Sequence, residues 1–96
     1  MYNSVIAGYS RSPFAMANKG KLIHVKPVNL LAEVIKDLVS KSKINPRDIE
    51  DVVIGCAFQV GEQCFNIGRL VTFLSNLDIS VPGMTVDRWC GSSMEA

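Results

Sequence analysis

Two short runs of consecutive apolar residues, Val5-Ile6-Ala7 and Val52-Val53-Ile54, stand on either side of a stretch whose apolar residues recur at helical spacing. A strand covered on both faces reads as an unbroken apolar run, whereas a half-exposed strand alternates. The stretch between carries Leu30, Leu31, Val34, Ile35, Leu38 and Val39, a wide stripe on one side of a helix. Strand, helix and strand in that order make a βαβ unit, which requires parallel pairing and a right-handed crossover. The sequence therefore predicts strands over Ser4–Tyr9 and Asp51–Phe58 and a helix over Leu30–Ser42, capped by Asn29. Glu33 near its start and Lys41 and Lys43 near its end suit the helix dipole. Asn45-Pro46 then opens a short turn with Pro at a helix-start position, anchored by Ile49.

The pattern continues. A loop over Gln59–Phe65 leads to Asn66, which can cap a second helix over Ile67–Leu77. Ile67, Leu70, Val71, Leu74 and Leu77 form its expected buried stripe. Gly68 inside that helix costs about 1 kcal/mol relative to Ala, which a close approach of helix to sheet would justify. Gly55 likewise permits close backbone approach or a bend. A third strand, Met84–Val86, lies in the extended run Gly83–Arg88 and leads into Trp89-Cys90-Gly91-Ser92-Ser93, after which Met94, Glu95 and Ala96 begin a helix. The order β-α-β-α-β-(α) is an α/β class fold, half of a wound sheet. Three parallel strands and two complete helices cannot cover both sheet faces, and they leave open edges. No Gly, Asn or Pro stop signal follows Met94. The expectation is an N-terminal portion of a larger protein.

Composition narrows the classes. The 96 residues suffice for one small domain, and 48% hydrophobic against 20% charged residues describes a globular chain. A net charge of +1 with scattered Lys and Arg gives no ground for a nucleic-acid or anionic-membrane partner. No apolar run approaches the roughly 18 residues of a membrane span, and no basic-then-apolar signal pattern precedes the first strand. Cys56, Cys64 and Cys90 are an odd set without CxxC spacing, which reads as reduced thiols in a cytoplasmic setting. A single histidine, His24, argues against a Cys/His zinc site, so no metal is expected.

Cys90 is the candidate for chemistry. A cysteine where a strand turns into a helix is lifted out of the sheet, and the helix start offers unpaired N–H groups to a negative sulfur or oxyanion. The competing reading is a buried structural thiol, since free cysteine is among the most buried residue types. A free thiol with a pKa near ~8.5 is only a few per cent thiolate at neutral pH, and a helix terminus lowers that by about one unit. A full nucleophile needs a base, and His24, late in the loop Ser10–Lys26, has no evident second partner. If Cys90 reacts, its base is expected outside this sequence. Cys56 reads as a small core residue. Arg11, Ser12 and Phe14 follow the first strand's C-terminal end, where ligands gather in open α/β sheets; ordinary loop packing is the favoured explanation for them.

The run Thr85-Val86-Asp87-Arg88-Trp89-Cys90-Gly91-Ser92-Ser93-Met94-Glu95-Ala96 resembles the nucleophile segment of the thiolases. It is most similar to the degradative 3-ketoacyl-CoA thiolases of fatty-acid β-oxidation, whose pattern is a strand, Asn-Arg, then Cys-Gly-Ser-Ser-Met-Gln-Ala. Glu62-Gln63-Cys64-Phe65-Asn66-Ile67-Gly68-Arg69 resembles the family upstream, as do Arg11-Ser12-Pro13-Phe14 and Gly55-Cys56. Asp87 stands where Asn is usual, Cys64 where Gly is common, Glu95 where Gln is usual, and Trp89 replaces a smaller or less aromatic residue. The resemblance implies a mixed sheet within a layered αβαβα fold, with residues 1–96 as the N-terminal portion of the first core domain. It implies an acyltransferase in which Cys90 carries the acyl group as a thioester, with coenzyme A as co-substrate, no permanently bound cofactor and acyl-CoA substrates. It implies at least a dimer, in some cases a subunit of a multifunctional β-oxidation complex, and an activating histidine and second cysteine in the family's C-terminal half. This chain by itself is then expected to be inactive. A non-catalytic thiolase-like protein, or a condensing ketosynthase-like enzyme on the same fold, are the alternatives.

Overall fold

Pro27 opens the first helix, α1 (Pro27–Ser42), ahead of the start at Leu30 expected from Asn29. Proline's fixed φ and missing N–H suit the first helical position, and the Asn29 and Leu30 N–H groups both donate to the Lys26 carbonyl at 3.1 Å. Asn29 is therefore an interior residue, and Lys26 caps without a side-chain bond. The helix ends at Ser42 as expected, with Lys43 in the left-handed region at φ 54°. A 3-10 turn, Pro46–Asp48, follows; the Asn45 side chain accepts from Arg47 N–H. The computed structural model describes residues 2–96.

Among the described residues the sheet has two parallel strands, β1 (Val52–Gly55) and β2 (Gly83–Val86), with Val52 opposite Gly83 and Gly55 opposite Val86. The expected strand over Ser4–Tyr9 does not pair. Val5 and Ile6 are 82% and 96% exposed. The segment is held at its end by α1 instead: Gly8 lies against Leu38 and Ser42, and Ser10 Oγ donates to Asp37 at 2.6 Å. An apolar run specifies a strand only when a sheet edge receives its backbone groups, and here the helix holds the chain. β1 is shorter than the expected Asp51–Phe58. The Asp51 carboxylate accepts the Val52 N–H at its start, and the ladder trails out with Cys56 N–H donating to Val86.

The second helix, α2 (Ile67–Leu74), lies between the strands in sequence and packs on both. It stops short of Leu77 because Ser75 Oγ donates back to the Val71 carbonyl and Asn76 turns left-handed at φ 56°. Its buried side is Ile67, Gly68, Val71 and Thr72, continued by Ser75. Leu70 and Leu74, expected inside, are exposed beside Phe73. The reason is the seam with β2. A Cβ on Gly68 would lie 2.1 Å from the Met84 carbonyl oxygen, and one on Gly83 would lie 2.2 Å from the Gly68 oxygen. Only glycine and short side chains fit a contact that close, so the larger leucines rotate outward. The core is Ala32, Cys56, Ile67, Val71 and Val81. A single helical turn, α3 (Ser92–Glu95), ends the described chain and packs on both strands.

Candidate active site

The site begins at Asn66, which caps α2 as expected while lying in the left-handed region at φ 56°. Its Oδ1 accepts from Arg69 N–H at 3.3 Å and from Thr85 Oγ1 at 2.7 Å, and its Nδ2 donates to the Gly83 carbonyl at 3.2 Å. Thr85 Oγ1 in turn accepts the Gly68 N–H at 2.9 Å. One amide thus ties the start of α2 to Gly83 and Thr85 of β2 and fixes where that strand delivers the chain.

The chain leaves β2 through a tight turn over residues 87–92. Asp87 Oδ1 accepts the Trp89 N–H at 2.9 Å, the self-bonding that makes aspartate a turn former. Ser92 Oγ accepts from Arg88 N–H at 2.8 Å and donates to the Trp89 carbonyl at 2.6 Å, which also receives the Ser92 N–H at 3.1 Å. These bonds hold Trp89 at φ 46°. A bulky residue held there costs about 1–3 kcal/mol and persists only where its surroundings over-determine it. The sequence singled out neither Asp87 nor Ser92 as a turn builder; an acidic residue two positions before the strained one was the available signal. Arg88 pairs with Glu95 at 3.3 Å, not with Asp87.

Cys90 follows directly and is exposed. It borders a hollow of ≈ 340 Å³ walled by Ala57, Phe58 and Trp89. Phe58 comes from the chain just beyond β1 and Trp89 from just beyond β2, so the hollow lies past the C-terminal ends of the parallel strands, where open α/β sheets bind ligands. The expected turn from strand to helix is present, and the buried-thiol alternative belongs instead to Cys56, whose Sγ donates to the Phe58 carbonyl at 3.4 Å. The N–H groups of Gly91 and Ser92 close on the Arg88 and Trp89 carbonyls, so neither is free for an oxyanion.

α3 is set against β1 by glycine. A Cβ at Gly55 would lie 2.3 Å from Ser93 N and 2.4 Å from Ser92 C, so strand backbone touches helix backbone directly. The other candidates do not line the hollow beside Cys90. His24 is exposed in the turns before α1 and does not line the hollow. Arg11 stacks its guanidinium 5.5 Å over Phe14. Ser12 lines a different hollow, bounded by α1, β1 and Ser93 of α3. Cys64 Sγ donates to the Gly61 carbonyl at 2.8 Å.

Comparison with known proteins gives the family and the fold. A family model described as the thiolase N-terminal domain matches residues 4–96. A 3-ketoacyl-CoA thiolase of Colwellia psychrerythraea is 43% identical over 100% of the chain and 25% of its own length. One from Psychrobacter arcticus is 39% identical over 96% of the chain and 24% of its own. Among solved structures, the acetyl-CoA acetyltransferase of Bacillus anthracis superposes with a TM-score of 0.80 at 26% identity, covering 94% of this chain and 22% of that one. The chain spans about a quarter of the length of the curated relatives it matches.

Proposed function

We propose, from the premise that this chain belongs to the thiolase family, that it forms the N-terminal portion of the first core domain of an acyltransferase and contributes the acyl-carrying cysteine. The observation that carries the reading is Cys90, exposed on a strained turn at the C-terminal end of β2, inside a segment matched over residues 4–96. The proposed reaction is thiolytic cleavage of a 3-ketoacyl-CoA in fatty-acid breakdown. The Cys90 thiolate attacks the 3-keto carbon, and an S–C bond forms. The bond between the second and third carbons breaks, and its electron pair leaves with the acetyl-CoA fragment, which takes up a proton. The acyl group remains on Cys90 as a thioester. The thiol of free coenzyme A then attacks that carbonyl, releasing the shortened acyl-CoA and restoring Cys90. This covalent route splits one difficult step into two.

The described residues supply the nucleophile and its presentation. In this reading a base for Cys90 and an acid for the leaving carbanion come from outside residues 1–96, coenzyme A is a co-substrate, and no permanently bound cofactor takes part. Assembly as a dimer or larger oligomer in the cytoplasm belongs to the same proposal. No helix among the described residues is long and apolar enough to cross a membrane.

The test is acyl-CoA labelling of the full-length protein followed by intact mass and peptide mapping. An acyl adduct on Cys90 that disappears in Cys90→Ser supports the proposal. An adduct that survives Cys90→Ser, or no adduct at all, overturns it.

A further inference from the structure

Arg88 and Glu95 stand on either side of Cys90, and three contacts close them into a ring. The Gly91 N–H donates to the Arg88 carbonyl at 3.0 Å, and the Glu95 N–H donates to the Gly91 carbonyl at 3.0 Å. The Arg88 guanidinium then reaches the Glu95 carboxylate at 3.3 Å. Cys90 lies in the short arc between Arg88 and Gly91, together with Trp89 at φ 46°. A strut crosses the ring, from the Arg88 N–H to Ser92 Oγ at 2.8 Å. All of these contacts fall within residues 88–95. Two of the three links are main-chain bonds, open to any sequence in this conformation. The third is made by side chains, and both charges are committed to it. Among the described residues, Glu95 is the one carboxylate within ion-pair distance of Arg88, and Arg88 the one cation within that distance of Glu95. Asp87, the nearer carboxylate in sequence, accepts the Trp89 N–H instead.

We infer that Arg88 and Glu95 are positioning residues for Cys90: their ion pair closes the ring and holds the turn in the form that presents the sulfur. The inference rests on Cys90 as the acyl carrier. A left-handed tryptophan keeps its conformation only where its surroundings over-determine it, and the pair adds the last constraint downstream of the sulfur. Opening it frees the Arg88 side chain and loosens the end of α3, so the presented form becomes one of several. An exposed pair shifts such a local equilibrium by at most about fivefold. The loss falls on the rate of acyl transfer, because that rate follows the fraction of correctly presented sulfur. The two charges neutralise each other, so the pair offers the phosphates of coenzyme A no net attraction, and substrate binding is left as it was.

The experiment measures kcat and KM for thiolysis of 3-ketohexanoyl- and 3-ketohexadecanoyl-CoA by the full-length protein, at low salt and at about 1 M salt, where screening reaches ~3 Å. Glu95→Gln, Arg88→Met and the double variant are run beside wild type, with Arg88→Lys as the variant that keeps the charge. At low salt each neutral single variant should lose about fivefold in kcat at unchanged KM. The double variant should lose no more than either single one, as expected of two groups that act through one contact. Arg88→Lys should retain most of the wild-type rate. High salt should narrow the gap between wild type and Glu95→Gln, a response that general loss of folding does not produce. Wild-type kcat in Glu95→Gln, losses that multiply in the double variant, a gap indifferent to salt, or a rise in KM at constant kcat overturns this inference alone. Thiolysis of neither substrate by wild type, or thiolysis that persists in Cys90→Ser, overturns the acyl-carrier reading and this inference with it.

Discussion

Replacing Gly55 by alanine should damage the Cys90 turn without touching it. The added Cβ would stand 2.3 Å from Ser93 N, 2.4 Å from Ser92 C and 2.5 Å from Ser93 Cα, where ordinary contact begins at 3.4 Å. Every obstructing atom is backbone, so no side chain can swing aside, and α3 must retreat by roughly an ångström from a close-packed seam. Overpacking of this kind costs about 1–3 kcal/mol, or about 1 M in a urea midpoint for a small protein. The displacement acts directly on the residues following Cys90, and a misplacement of about 1 Å can reduce a reaction about 100-fold. The assay pairs urea unfolding with Cys90-dependent acylation in the full-length protein. Gly61→Ala is the control, because nothing lies within 4 Å of its Cβ and only its φ of +58° opposes the change. Should Gly55→Ala unfold at the wild-type midpoint and acylate at the wild-type rate, direct backbone contact between β1 and α3 would be refuted as the device that sets the turn.

Three further outcomes follow from the same geometry. Asn66→Ala should cost about 2 kcal/mol, combining a lost cap with a side chain poorly suited to a left-handed residue; Asn66→Gly should cost less, and urea unfolding orders the two. Asp87→Asn keeps an oxygen that accepts the Trp89 N–H and should leave the fluorescence of Trp89, the single tryptophan, unchanged, whereas Asp87→Ala should shift it and cost about 1 kcal/mol. The hydrogen bonds from Lys41 and then Ser10 hold the Asp37 carboxyl below its ordinary range, and the backbone and side chain of Ser80 do the same for Asp78. Both groups bind protons more weakly when folded, so their stabilisation is present above the ordinary carboxyl pKa and fades as pH falls through the lowered values. Acid unfolding curves of Asp37→Asn and Asp78→Asn should therefore converge on wild type at low pH and diverge above it.

The β1-α2-β2 order, the Asn66 cap, the buried Cys56 and the turn at Cys90 were legible because each rests on local chemistry: apolar runs, a capping amide, a small core residue, a strand meeting a helix. The close approaches at Gly55 and Gly68 were legible too, since glycine in an element interior calls for a reason. What failed depended on neighbours. Ser4–Tyr9 carries strand composition, but pairing needs an edge, and the contacts of Gly8 and Ser10 go to α1. Leu70 and Leu74 carry a buried-stripe pattern, but the glycine seam rotates α2 and places Thr72 and Ser75 inward instead. Asn29 lost its cap to Pro27, whose backbone suits a helix start better than a side chain two residues on. The hollow beside Cys90 was invisible because its walls, Phe58 and Trp89, are distant in sequence and meet only through the β1–β2 register.

The seams at Gly55, Gly68 and Gly83 also bear on how mutational maps of this chain will read. Systematic truncation to alanine finds important positions by what is taken away, and at these three there is nothing to take. Their role is exposed only by addition, and the smallest addition already reaches main-chain atoms. Sensitivity along β1, α2 and β2 should thus be inverted relative to an ordinary core: tolerant where side chains such as Leu70 and Phe73 are large and outward, and unforgiving where the residue is barely there.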